Sequence, residues 1–261
     1  MTVTLGAHVD QTDPIAEAKA RGTTLVQFFL GDPQGYKGPV IAYQGGASTL
    51  RADAEAAGVD LYVHAPYLIN VATANNRIRI PGRKLLQQHI DGAASIGAKG
   101  LIVHGGHLNK DEDPAIGFDN WRKAIERVEM RCPVFIENTA GGDNAMARRL
   151  EAIARLWDAI GGHDVGFVLD TCHAHAGGED LHGIVGRVKA ITGRIDLVHA
   201  NNSRDPFDSG RDRHANLTDG EIDPELIAAV VAEAGTPVVV ETPGGADGHV
   251  ADMGYLLKHA T

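Results

Sequence analysis

Two stretches of the chain crowd together side chains that bind metals or move protons. "DTCHAH" places Asp170, Cys172, His173 and His175 within six positions. "GRDRHANL" places Asp212 and His214 two apart, so an extended backbone puts both on one side and Arg213 on the other. The same residue types recur singly, each closing a short apolar run: His8, His64, His104, Glu137, His199 and Glu241. Glu137, Asp170, Asp212 and Glu241, with His64, His104, His173, His199 and His214, make four carboxylates and five imidazoles. That oxygen and nitrogen donor set suits zinc or manganese rather than a soft thiolate site. Nine donors exceed the need of one tetrahedral ion. They fit two or three ions sharing bridging carboxylates, an arrangement suited to in-line displacement at phosphorus. Three divalent ions against four carboxylates would also leave the pocket positive where a phosphate binds.

Cys172 stands between two of these donors, but no second cysteine accompanies it at a zinc-like spacing. It is expected to pack as a small apolar side chain beside the strand end. His175 is expected to be a loop histidine. His107 of "HGGH" lies beyond its strand, which makes His104 the better ligand.

These residues need a scaffold that brings distant positions to one place. Eight apolar, β-branched runs are bounded by Gly, Pro, Asn or Asp: "VTLGAHV", "TLVQFF", "DLYVHAP", "GLIVHGG", "PVFIENT", "VGFVLDT", "IDLVHAN" and "PVVVETP". Each is short enough for a buried parallel strand. Between them lie alanine-rich amphipathic stretches such as "GRKLLQQHIDGAASIG" and "DPELIAAVVAEAG", several stopping at glycine as helices do. Eight such units without a Gly-x-Gly-x-x-Gly turn predict an α/β fold, a (β/α)8 TIM barrel, as one domain over residues 1–261. In a parallel barrel all strand ends meet at one face, and seven of the eight runs end in a metal- or proton-binding side chain. The second run is the exception. Its loop, "GDPQGYKGPVIAYQGG", and the segment 200–222 are the least regular parts.

The formal charge is -10, from 24 basic and 34 acidic side chains. That argues against a protein that simply coats nucleic acid, yet leaves room for positive charge gathered locally. Two cysteines imply no disulfide framework, and neither a leader-like segment nor a membrane-length apolar run is present in the sequence. A cytoplasmic protein with no membrane partner is expected.

Taken together, "YLINVATANNRIR", "IVHGGH", "IENTAGG", "LDTCHAHAGG", "DLVHANNSRDPFDSGRDRHANL" and "VVVETP" resemble the endonuclease IV family of metal-dependent apurinic/apyrimidinic endonucleases. The resemblance runs from "GAHV" to "ETP", almost the whole chain. It implies a xylose-isomerase-like barrel with three zinc ions on its rim, manganese being possible at one or more sites. His64 and His104 would bind the first ion, and Glu137 would bridge it to the second. Asp170, His199 and Glu241 would complete the second, and His173, Asp212 and His214 would hold the third. It also implies incision of duplex DNA 5′ to an abasic site, leaving a 3′-hydroxyl and a 5′-deoxyribose phosphate. Glu137 would orient or deprotonate the attacking water, and Glu241 is the second candidate catalytic carboxylate. A monomer acting at the nucleoid is expected.

For the DNA itself, "PYLIN" puts Tyr67, Leu68 and Asn70 on a rim loop, where an apolar wedge can enter a base stack. An abasic nucleotide has already lost its stacking, so turning it outward is cheap. Arg77, Arg79, Arg83 and Lys84 follow, and Arg204, Arg211 and Arg213 stand in the seventh loop, as candidate phosphate contacts. Family members often carry an Arg-Gln-Trp-like loop after the second strand that penetrates the duplex. Here the positions are Gln34, Gly35 and Tyr36. "HGGH" is a shortened loop, Asn202 stands where an Asp is common and Thr218 where a Gly is common. A competing reading is a sugar isomerase or epimerase of the related barrel group, holding one ion on Glu137, Asp170, His199 and Glu241. Another is a non-catalytic damage-binding module, for which the complete ligand set would be superfluous.

Overall fold

The eight apolar runs become eight parallel strands in a closed barrel, seen in a computed structural model that describes residues 3–260. They are β1 (Leu5–His8), β2 (Leu25–Phe29), β3 (Asp60–His64), β4 (Gly100–His104), β5 (Val134–Glu137), β6 (Val165–Asp170), β7 (Leu197–His199) and β10 (Val238–Val240). Two two-residue strands, β8 (Asn202–Ser203) and β9 (His214–Ala215), pair antiparallel within the long segment after β7. The barrel closes where β1 pairs with both β2 and β10.

Alternation along each strand decides what the barrel holds. One face packs outward onto the helices in a large apolar core. The inward face forms a second, separate cluster: Leu25, Tyr62, Ile102, Phe135, Val168, Leu197 and Val239. Two residues further along each strand, on the same inward face, stand Gln27, His64, His104, Glu137, Asp170, His199 and Glu241. The polar residues therefore form a ring resting on an apolar plug. Below them the Phe135 ring fills space that Gly100 and Gly166 leave open. A Cβ at either would stand 2.4 or 2.3 Å from that ring.

The helices begin with the caps their sequences offer. Asp13, Asp113 and Asp223 each accept from a backbone N–H of the first turn, with proline following at the next position, in α1 (Pro14–Arg21), α4 (Pro114–Ile125) and α8 (Pro224–Ala234). Two local expectations are corrected. The third helix starts not at Gly82 but at Asn76: α3 runs Asn76–Ser95, capped by the Asn75 side chain, and carries Pro81 within it. His175 lies not in a loop but, with His173, in a short helix, α6 (Thr171–Gly177). Asp170 caps α6 through Oδ1, which accepts the His173 N–H at 2.7 Å. The strand end thus sets the angle at which the next donor enters. The remaining helices are α2 (Gly46–Ala57), α5 (Leu150–Ile160), α7 (Ile184–Thr192) and α9 (Gly245–His259). None of the helices among the described residues is long and apolar enough to cross a membrane.

Candidate metal centre

All nine expected donors converge on the rim formed by the strand ends. They fall into three groups: His64, His104 and Glu137; Glu137, Asp170, His199 and Glu241; and His173, Asp212 and His214. Within each group one donor atom per residue lies within 4.8 Å of the others.

Glu137 joins the first two groups because its two oxygens face different ways. Oε2 lies 3.1 Å from His64 Nε2 and 3.3 Å from His104 Nε2. Oε1 lies 2.9 Å from His199 Nδ1. In the second group His199 Nδ1 also stands 3.4 Å from Glu241 Oε2 and 3.9 Å from Asp170 Oδ2. In the third, the Asp212 carboxylate lies between two imidazoles, 3.1 Å from His173 Nε2 and 3.1 Å from His214 Nε2. Asp170 Oδ2 comes within 3.8 Å of His214 Nε2, which links the third group to the second.

The hydrogen-bond network orients three of the imidazoles through the backbone. His64 Nδ1 donates to the Ala65 carbonyl at 2.7 Å, His173 Nδ1 to the Asn138 carbonyl at 2.9 Å and His214 Nδ1 to the Glu241 carbonyl at 3.3 Å. Each is thereby held as the tautomer whose Nε2 lone pair faces the cluster, as metal-ligating histidines require. Asn138 also accepts the Asp170 N–H and donates to the Asp170 carbonyl. Asn201 donates to Asp170 Oδ2 at 2.7 Å and accepts the Glu241 N–H at 2.8 Å. His173 Nε2 and His214 Nε2 are buried and make no hydrogen bond of good geometry, although each stands 3.1 Å from an oxygen of Asp212. A cation shared between these atoms would satisfy all of them. The donor set and the placement of these two nitrogens fit bound divalent cations.

The electrostatics agree. Burial alone would push Glu137 upward, but the charges of His199 and His104 outweigh it and hold the carboxyl well below its usual range. Burial alone would push His199 down, yet Glu241 and Glu137 raise it to about 9. His214 is likewise opposed by burial and lifted to about 9, chiefly by Asp212 and Asp170. Asp170 moves the other way, raised by burial. In the metal-free protein these imidazoles carry protons that a metal must displace.

Cys172 lies near Asp170 and His214, but it is fully buried and burial pushes its thiol up to about 12. Such a thiol is a poor source of the thiolate that zinc binds. His8 contacts Glu241 Oε1 at 3.3 Å from the edge of the second group. His107 pairs through its backbone with Ala145 in an isolated bridge and lines the cleft beside the metal groups without joining any of them.

The residues expected to meet DNA divide into several kinds. Tyr67 rises beside the first group, its ring centroid 5.5 Å from that of His64 and 5.6 Å from that of His104. Leu68 is half-buried next to fully buried Ile69, so Ile69 packs the loop base and leaves Leu68 partly free. Tyr36 is exposed and Gln34 lies on the same outer loop, whose Pro33 carbonyl accepts the Tyr67 N–H at 3.0 Å. Arg77 is exposed in the first turn of α3. Asn70 is used internally: its amide donates to the His107 carbonyl at 2.9 Å and accepts the His107 N–H, tying two rim loops together. Arg213 forms a bidentate pair with buried Asp205, which Arg211 also approaches, so its charge is partly neutralised. Arg79 and Arg83 do not share the rim cleft. They line a separate crevice with Asn120, Lys123 and Arg127 between α3 and α4. The cleft beside the metal groups is lined by Tyr67, His104, Thr139, Gly141, His173 and Asp212, among others.

Asn202, at the position where an Asp is common, braces the seventh loop instead of the metal groups. Its amide donates to the Leu217 and Ile222 carbonyls at 2.6 and 2.8 Å, bonds a carboxylate cannot make.

A closed parallel barrel carrying such clustered candidate donors at its C-terminal rim is a barrel of the xylose isomerase-like type, and the family described as "Xylose isomerase-like TIM barrel" matches residues 15–259. The chain is 56% identical over 254 residues to a probable endonuclease 4 of Mycobacterium tuberculosis, covering 97% of this chain and 98% of that protein. The crystal structure of endonuclease IV from Thermus thermophilus superposes with a TM-score of 0.83 at 27% identity, over 97% of each chain. The chain belongs to the endonuclease IV family. A D-tagatose 3-epimerase-like protein superposes with a TM-score of 0.81 over 98% of this chain and 97% of that one, but at 17% identity this shows the barrel alone.

Proposed function

We propose that this protein is a DNA-repair endonuclease that hydrolyses the phosphodiester 5′ to abasic sites in duplex DNA. The products would be a 3′-hydroxyl and a 5′-deoxyribose phosphate, and the cofactor three zinc ions, with manganese able to replace one or more. The observation that carries this reading is the third donor group, His173, Asp212 and His214, beside a pair already bridged by Glu137. A single-ion isomerase or epimerase needs only the second group and would leave five of the nine donors without a task.

When bound, the ions would neutralise phosphate charge, activate water and stabilise the leaving oxygen. The chain's own residues do the rest. His64, His104 and Glu137 would hold the first ion; Asp170, His199 and Glu241, with Glu137, the second; His173, Asp212 and His214 the third. Glu137, kept ionised at the centre of the cluster, is placed to orient the attacking water and accept its proton. Glu241, 14% exposed at its side chain, would be the second carboxylate to act on the reacting phosphate. Tyr67 stands over the first group, where a duplex opened at an abasic site would lie, and half-buried Leu68 follows it on the same loop. Exposed Gln34, Tyr36 and Arg77 would meet its flanks, whereas Asn70 and Arg213 would act through the loops they brace.

The barrel closure between β1 and β10 supports treating residues 1–261 as one domain. A monomer would leave the rim open to a duplex, and the site of action would be the nucleoid within the cytoplasm. The deciding experiment is incubation with a duplex carrying one tetrahydrofuran abasic analogue. A single cut immediately 5′ to the analogue, with an end that a polymerase extends directly, is expected. No cut, or a cut on the 3′ side, would remove the reading.

The wedge can be tested separately. Leu68→Gly is expected to weaken binding to abasic duplex about tenfold, roughly 1.4 kcal/mol, while single-turnover cleavage of pre-bound duplex changes little. Equal affinity of the two proteins in an anisotropy titration would show that Leu68 only packs its loop.

A further inference from the structure

Three of the oriented ligand histidines donate their outward nitrogen to a backbone carbonyl: His64, His173 and His214. His199 does not. Its Nε2 meets a side chain, Gln27 Oε1, at 2.8 Å. Gln27 is completely buried and lies on β2, which ends in Phe29 and contributes none of the nine donors. It occupies the same ring as the ligands: it follows Leu25 of the apolar plug by two positions and pairs in register with His8 on one side and Tyr62 on the other. Its Nε2 donates to Glu241 Oε1 at 2.6 Å and lies 3.0 Å from His8 Nδ1.

We propose that Gln27 is a positioning residue of the metal centre, holding His199 as the tautomer that offers Nδ1 and aiming Glu241 Oε2 at the same point. This rests on the reading of the second donor group as a metal site. The geometry leaves Gln27 one orientation. Its Oε1 must accept, because His199 Nδ1 faces Glu137, Asp170 and Glu241 and so must be the nitrogen with the lone pair. Its Nε2 must then donate, and it meets one oxygen of Glu241 while leaving Oε2 turned toward His199 Nδ1, 3.4 Å away. One neutral side chain thereby constrains two ligands of the same ion without adding charge. A residue that only filled space would not need both ends of its amide bonded, and a methionine would fill that space equally well.

The test compares the wild type with Gln27→Met, which keeps the volume and loses both hydrogen bonds, and Gln27→Glu, which keeps the acceptor for His199 and loses the donor to Glu241. Zinc affinity is read by competition with a chromophoric chelator. The His199 tautomer is read from long-range 15N–1H correlations of the zinc-loaded protein. Gln27→Met should bind one of the three ions about 10- to 100-fold more weakly, the usual cost of losing an outer partner of a ligand. Gln27→Glu should retain the protonated Nε2 signature of His199. Unchanged affinity for every ion in Gln27→Met would overturn the proposal. If Gln27→Met does not fold, a zinc-loaded Gln27→Glu protein in which His199 binds through Nε2 overturns it equally. Failure of the wild type to bind zinc at all would instead overturn the metal-site reading beneath it.

Discussion

Glu137→Ala is expected to reduce incision of abasic duplex by at least a thousandfold, about 4 kcal/mol of transition-state stabilisation, while binding of the damaged duplex is largely kept. The size of the effect follows from position. Glu137 is fully buried, and its two oxygens face different donor groups, Oε2 toward His64 and His104 and Oε1 toward His199. Its removal takes a ligand from two proposed ions at once and also the group assigned to the attacking water. The surfaces expected to hold the duplex, around Tyr67 and Leu68, are not touched by the change. Single-turnover cleavage and equilibrium binding on the same abasic duplex separate the two effects. Cleavage at the wild-type rate would strip Glu137 of its assigned role, and loss of binding in parallel would indicate a collapsed site instead.

Removal of metal should have a comparable effect. Prolonged dialysis against a strong chelator is expected to abolish incision, and added zinc to restore it, with close to three ions per chain by mass spectrometry of the reloaded protein. A stoichiometry near one would leave only the second donor group filled and favour the isomerase reading. Zinc at about a thousandfold over its dissociation constant should also raise stability by about 4 kcal/mol. The stripped protein carries its own signature in pH. His199 and His214 are raised to about 9 in the fold, from an ordinary value of 6.5. A group whose pKa rises on folding stabilises most when both states are protonated, so this contribution is complete below about pH 6.5 and is lost as pH climbs through 9. The melting temperature of the stripped protein should therefore fall across that window, and that of the zinc-loaded protein, whose imidazoles stay neutral and bound to metal throughout it, should not. A flat profile for the stripped protein would contradict the clustered charges described above.

Much of this centre was legible because a parallel barrel converts a one-dimensional pattern into a place. A strand of this kind ends on a known face, so residues as distant as His64 and Glu241 could be assigned to one rim from their positions at run ends. Asp212 and His214 were legible for a different reason, their spacing of two in an extended segment, which β9 carries at His214. Gln27 escaped the same logic. It stands two residues before the end of "TLVQFF", its side chain is not a metal ligand, and Phe29 occupies the strand end. The signal was present as the shared offset of two from the inward apolar residue of each strand. It becomes visible only once the register identifies which residues face inward.

The sequence by itself determined the barrel, the nine donors and the family, because alternation, run ends and long specific motifs are local properties of the chain. The tertiary structure decided what those residues do to each other. It split the donors into three groups, two of them sharing Glu137, turned His64, His173, His199 and His214 by the carbonyl or amide behind each, and placed His173 on a helix capped by Asp170. It also withdrew Arg79 and Arg83 from the cleft, tied up the Asn70 amide on the His107 backbone and partly neutralised Arg213 with Asp205. The physical reason is that residue type fixes which bonds a side chain can form. Which partner lies within about 3 Å of a chosen atom depends on packing between elements far apart in the chain.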